Sequence, residues 1–120
     1  MKRKKLKVTK VPILNSEYSV YILQGKKEKA FSWIKSYYGK SDISINDFEG
    51  FRGRVFYHHG YFPVIYLIST RHKYATLAHE AVHAINYIWE DIGEKCKEEV
   101  YAHSVGAIVF AIENKGKKRT

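Results

Sequence analysis

Residues 79–83 read His-Glu-Ala-Val-His, a spacing with a chemical meaning. Positions i and i+4 of an α-helix share one face, about 6 Å apart along the axis. Two imidazoles placed that way can converge on one zinc ion. Glu80 is turned roughly 100° from His79 about the axis, at ~3.6 residues per turn. It is therefore not a further ligand on that face. It is placed to take a proton from a water at the metal, the part of a general base.

A hydrolytic zinc takes three protein ligands and keeps its fourth position open. The downstream donors are Glu94, Cys96, Glu98, Glu99 and His103. Glu94 and Cys96 fall in a turn after Gly93. In a helix, Glu98 shares its face with Tyr101, Ala102, Val105, Ile108 and Ile112, and Glu99 shares its face with Ala102, His103, Gly106 and Phe110. The small side chains of Ala102 and Gly106 would let this helix approach the histidine helix closely. That favours Glu99 as the third ligand, with Glu98 as the alternative. His103 lies one turn further along and is a candidate, with the tyrosines, for steadying transition-state charge. Cys96 reads as a bystander, although a thiolate suits zinc.

Elements must hold these residues in place. Tyr18 to Leu23 (YSVYIL) is β-branched and aromatic and predicts a strand. Lys26 to Tyr38 carries helical spacing and stops at Gly39. Residues 40–53 predict a packed loop with a short strand. Arg54 to His58 and Tyr61 to Ile68 predict a hairpin around His59-Gly60, with Pro63 arguing against a central place for the second strand. Lys73 to Ile92 predicts a long helix closed by Gly93, and Lys97 to Glu113 a second helix. The expected fold is α+β: a small, mostly antiparallel sheet with the helices packed on one side. His58 and His59 sit at the hairpin tip, and His72 precedes the long helix.

The run TLAHEAVHAINYIWEDIG followed by EEVYAHSVGAI resembles the gluzincin clan of zinc metallopeptidases, and more narrowly the small zincin-like proteins of phages and prophages. The resemblance covers roughly residues 61–112. It implies a zincin-like fold, Zn2+ held by His79, His83 and Glu99, Glu80 as general base, and a peptide or protein substrate. In that clan an edge strand before the active-site helix pairs with an extended peptide. Here that strand would be Tyr61–Ile68 or Arg54–His58.

Length and charge bound the rest. The chain has 120 residues and a hydrophobic fraction of 45%, enough for one core and not two. No apolar run is long enough to span a bilayer, and the N-terminus lacks the apolar core of a secretory signal, so a cytoplasmic location without membrane contact is expected. One cysteine excludes an intrachain disulfide framework. The formal charge is +9, yet residues 1–10 and 115–120 carry all the excess, and residues 11–114 are near neutral. The expected organisation is therefore a basic tail (1–10), one domain (11–114) and a second basic tail (115–120). The tails would be dispensable for folding and available for non-specific nucleic-acid binding. A non-catalytic binding protein, built on the zincin scaffold and acting through those tails, is the competing reading. Nothing in the sequence sets the oligomeric state.

Overall fold

The computed structural model describes residues 5–14, 17–39, 43–48, 53–67, 73–92 and 98–115, and in the last stretch the side chains of 100–113. Its elements are β1 (Lys7–Ile13), β2 (Tyr18–Gln24), α1 (Lys27–Tyr38), a 3₁₀ turn (Ile45–Phe48), β3 (Gly53–Phe56), β4 (Val64–Leu67), α2 (Lys73–Ile92) and α3 (Glu98–Lys115). The strands form one sheet in the order β1-β2-β4-β3.

β4 explains the layout. All four of its residues are buried, so it needs cover on both faces. Val64 and Tyr66 enter a cluster with Ala30, Ile34 and Tyr38 of α1. Ile65 and Leu67 enter a second cluster with Leu77, Ala81 and Ile85 of α2 and Ile108 and Ile112 of α3. Each fully buried aliphatic side chain here contributes about 1.5–3 kcal/mol. The helices therefore lie on both faces of the sheet, not on one. A strand apolar on both sides cannot leave either face to water.

The same strand makes the sheet mixed. β2 pairs with β4 in parallel, Ile22 opposite Ile65, while β1–β2 and β3–β4 are antiparallel. Parallel neighbours need a crossover, and α1 lies between them in the chain. Pro63 does not keep β4 from the centre, because it stands just before the strand. There its carbonyl accepts from the Tyr21 N–H at 3.0 Å.

Two further expectations shift. Charge alone assigns Lys7–Lys10 to a tail, yet they begin β1, paired with Tyr21–Gln24. Thr9, Val11 and Ile13 alternate inward, and Leu6 and Val8 pack against the α1 cluster. Lys7 and Lys10 are exposed positions of this edge strand, one on each face, and charge at an edge also discourages edge-to-edge pairing. Between α1 and β3 there is a 3₁₀ turn and, among the described residues, no strand. The turn buries Phe48, whose ring stacks on Phe56 at 4.7 Å.

Candidate active site

α2 buries Leu77, Ala81, Ala84, Ile85 and Ile88, which leaves the opposite side of the helix to solvent. His79 and His83 are exposed there. Their Nε2 atoms are 3.3 Å apart. Two nitrogens bound to one tetrahedral zinc at ~2.0–2.1 Å would stand about 3.3–3.4 Å apart. The pair therefore already has the spacing of two ligands sharing an ion. Among the described residues no group of three His, Cys, Asp or Glu gathers at one point. Glu94, Cys96 and His72 lie outside the described residues, as do the side chains of Glu98 and Glu99.

Glu80 leans toward β3. A Cβ at Gly53 would lie 2.7 Å from Thr76 Cγ2 and 3.3 Å from Glu80 Cγ, so the glycine lets the first strand residue sit directly on α2. Partial burial raises the Glu80 pKa above its ordinary value, against the lowering effect of His79, His83 and Arg54. A carboxylate raised by desolvation and still near cations is a better proton acceptor than a solvated one.

The segment that borders the site is held from both sides. Tyr57 stacks on Tyr87 of α2 at 4.7 Å, and His59 Nδ1 meets Asp91 Oδ1 at 2.8 Å. From the other layer, Tyr38 Oη lies 2.9 Å from the Phe56 carbonyl and 3.0 Å from that of Phe62. The Tyr37 hydroxyl accepts from the Phe62 N–H at 3.1 Å. Burial pushes the Tyr38 pKa well up, which keeps its donor proton in place. Gly60, at φ +89°, closes the turn in which Tyr61 N–H meets the His58 carbonyl. Of the two runs offered by the sequence, β3 is the edge strand and β4 is internal.

α3 flanks the other side of α2. The Tyr101 hydroxyl donates to the Val82 carbonyl at 3.0 Å, and Val105, Ile108 and Ile112 complete the packed stripe. Ala102 and Gly106 are exposed, so the close approach expected through them does not form. The helix is apolar on most sides, and its branched side chains at i, i+3 and i+7 took the interface. At ~100° per residue, position 98 falls about 60° from Tyr101 and position 99 about 160°. His103 lines two shallow hollows. One is shared with Ala102, Gly106 and Phe110, the other with Ile13, Val100 and Ser104. Neither hollow contains His79, Glu80 or His83.

Gly53, Thr76, Arg54 and the Tyr57–Tyr87 stack are not marked as site residues by any motif in the sequence. The one available signal was a glycine at the head of a strand-like run, which marks close backbone approach. No protein-family model, curated protein or solved structure matches the chain. Among the described residues no helix is long and apolar enough to cross a membrane.

Proposed function

We propose that the protein is a zinc-dependent peptidase. The observation that carries this reading is the 3.3 Å separation of the His79 and His83 Nε2 atoms, on the exposed face of a helix that also carries a desolvated glutamate between them. His79 and His83 fit zinc by donor type, spacing and accessibility. The third ligand comes from the start of α3. Position 98 shares the side of α3 that packs on α2, so we assign the ligand to Glu98 in preference to Glu99.

Zinc, when bound, supplies Lewis-acid polarisation of a peptide carbonyl and acidifies water. Glu80 then does the proton work. It removes a proton from the attacking water and returns it to the leaving amine. Its partial burial keeps that carboxylate basic enough for both halves. His79 and His83 are presented by a helix anchored through five buried side chains, so little rearrangement is needed to bind metal. His103 has no part in this scheme.

The test is metal content and turnover in parallel. Wild-type protein and Glu80→Gln should each bind one zinc per chain, and Glu80→Gln should lose peptide hydrolysis by at least about 100-fold. His79→Ala and Glu98→Ala should lose the metal, and Glu99→Ala should keep it. Full hydrolysis by Glu80→Gln refutes the general-base assignment. Retention of zinc by Glu98→Ala with loss in Glu99→Ala moves the ligand by one residue.

A further inference from the structure

Residues 1–10 carry six basic side chains, no acid and no aromatic ring. The fold brings rings to them. Lys10 lies opposite Tyr21 in the β1–β2 ladder, and both are on the α1 side of the sheet, as Leu6 and Val8 are. The Lys10 ammonium stands 5.7 Å from the centre of the Tyr21 ring and 6.0 Å from that of Phe62. Among the described residues these rings are its partners, and no carboxylate is. From Tyr21 the rings continue onto α1. The Tyr21 ring lies 5.0 Å from Trp33 and 5.1 Å from Tyr37, and Tyr37 lies 5.4 Å from Tyr61. Tyr21, Trp33, Tyr37 and Phe62 are half-buried, and Tyr61 is exposed.

This strip runs between the flank of α1 and the outer strand of the sheet. The α1 cluster draws its fully buried members from β2, β3 and β4 and none from β1, so Lys10 and Pro12 stay exposed. One and two turns before Trp33, the same flank of α1 holds Lys29 and Lys26. The described acids nearest in sequence stand apart. Glu28 is turned about 140° from Trp33 around α1, and Glu17 is at the hairpin end, about 13 Å along the strand from Tyr21. With every acid of the chain counted, the formal charge is still +9.

Rings beside cations on a basic chain suit a polyanion whose repeating unit has a flat π-face. Single strands are held in this way, with bases on aromatic rings and phosphates on basic side chains. A duplex keeps its bases stacked inside and offers its phosphates. A proline-rich peptide would use the rings and leave the charge unanswered. We propose that the strip formed by Lys10, Tyr21, Trp33, Tyr37 and Phe62 binds single-stranded nucleic acid, with unpaired bases stacked on the rings and phosphates held by Lys10 and the basic residues before it. A cation–π contact leaves the ammonium charged, so Lys10 already holds its cation where base and phosphate meet. The strip is on the opposite face of the sheet from α2 and its histidines, so this binding is independent of the proposed zinc centre. Binding through a basic tail alone would be blind to strandedness.

The experiment titrates the full chain, by fluorescence anisotropy, against labelled oligo(dT) and oligo(rU) of about 15 nucleotides and a DNA duplex of equal length. The single strands should bind at least about tenfold more tightly than the duplex. Trp33→Leu and Phe62→Leu should each weaken single-strand binding about tenfold and leave duplex binding unchanged. Lys10→Gln should weaken it too, and should lower the slope of log K against log salt by about 0.7. Lys10 is exposed, so Lys10→Gln keeps the test valid if a ring variant disturbs folding. Trp89 has a buried indole N–H without an acceptor, so Trp89→Phe is a mild change that leaves Trp33 as the only tryptophan. Oligonucleotide should quench the emission of that variant. Equal affinity for single strand and duplex overturns the inference, as does single-strand binding that both ring variants leave unchanged. Binding lost only when Lys2, Arg3 and Lys4 are replaced by Gln assigns it to the tail and overturns the strip. Binding of a labelled proline-rich peptide with none of oligonucleotide, or no oligonucleotide binding even at low salt, overturns it as well.

Discussion

Substituting Gly53 by alanine should damage the protein through a single contact. The added methyl would stand 2.7 Å from Thr76 Cγ2, 3.3 Å from Glu80 Cγ and 3.3 Å from the Tyr66 carbonyl oxygen. Ordinary carbon–carbon contact needs about 3.5–4.0 Å, so close to 1 Å must be found between β3 and α2. Neither partner gives easily. β3 is tied to α1 through Tyr38 and to β4 through the ladder that pairs Gly53 with Leu67, and α2 is anchored by its buried stripe. Overpacking of this kind costs about 1–3 kcal/mol. For a domain of this size that is a fall in Tm on the order of 5–15 °C. Thr76→Ser removes the opposing methyl, so Gly53→Ala/Thr76→Ser should recover at least half of the loss. The double-mutant cycle, measured by urea and thermal denaturation of the metal-free chain, should show coupling of about 1 kcal/mol or more. Under the proposed peptidase function, Gly53→Ala should also lower hydrolysis at temperatures where it remains folded, because the added methyl presses on Glu80 Cγ at 3.3 Å. An unchanged or higher Tm for Gly53→Ala, or purely additive behaviour with Thr76→Ser, would refute the proposed contact between strand and helix.

Tyr38→Phe should lower stability by about 1–2 kcal/mol, since it removes the one buried hydroxyl proton that the Phe56 and Phe62 carbonyls share. Its pH signature has a definite sign. The folded pKa lies above the ordinary value of 10.0, so this contribution is fully present below pH 10 and is lost as pH rises past it. Wild type and Tyr38→Phe should converge in chemical denaturation above pH 10, and a gap that widens there refutes the assignment. Deleting residues 1–10 should lower Tm by more than about 10 °C or yield insoluble protein, because it removes half of the β1 ladder and Leu6 and Val8 with it. Val8→Asp, at full length, should cost about 1–3 kcal/mol by the same reasoning, and a deletion that melts like wild type would return the segment to the status of a tail.

The sequence specifies some elements far better than others. α2 is legible to both of its ends, because twenty residues sustain one apolar stripe with no competing period. α1 and β2 are legible for similar reasons, one ending at a glycine and the other rich in β-branched side chains. β1 is hidden by its own lysines. Net charge in a window says nothing about alternation, and the two apolar rows, Leu6 and Val8 on one face and Val11 and Ile13 on the other, are quieter than the charge of the neighbouring lysines. The mixed sheet is hidden differently. Whether β2 meets β4 in parallel depends on where α1 lies, and no local pattern encodes that. Only the unbroken apolar run Val64–Leu67 hints at it, since a strand apolar on both faces belongs at a centre.

The site divides along the same line. An i, i+4 pair is fixed by helix geometry, so once α2 forms, His79 and His83 come together without help from the rest of the fold. The third ligand of the proposed site would come from another helix, and which residue could supply it depends on which side of α3 turns inward. Two patterns compete there. Ala102 and Gly106 offer close packing, while Tyr101, Val105, Ile108 and Ile112 offer buried area. Small residues permit contact but supply little driving force, whereas two buried isoleucines alone contribute about 3–6 kcal/mol. The stronger driving force set the rotation of α3, brought the Tyr101 hydroxyl onto the Val82 carbonyl, and left Ala102 and Gly106 to solvent. That rotation is the ground on which the proposed third ligand is position 98 and not the expected Glu99, and on which His103 is left out of the proposed reaction. For an interface between two helices that are both broadly apolar, buried volume therefore outranks a small-residue motif as a guide to which side chains reach the site.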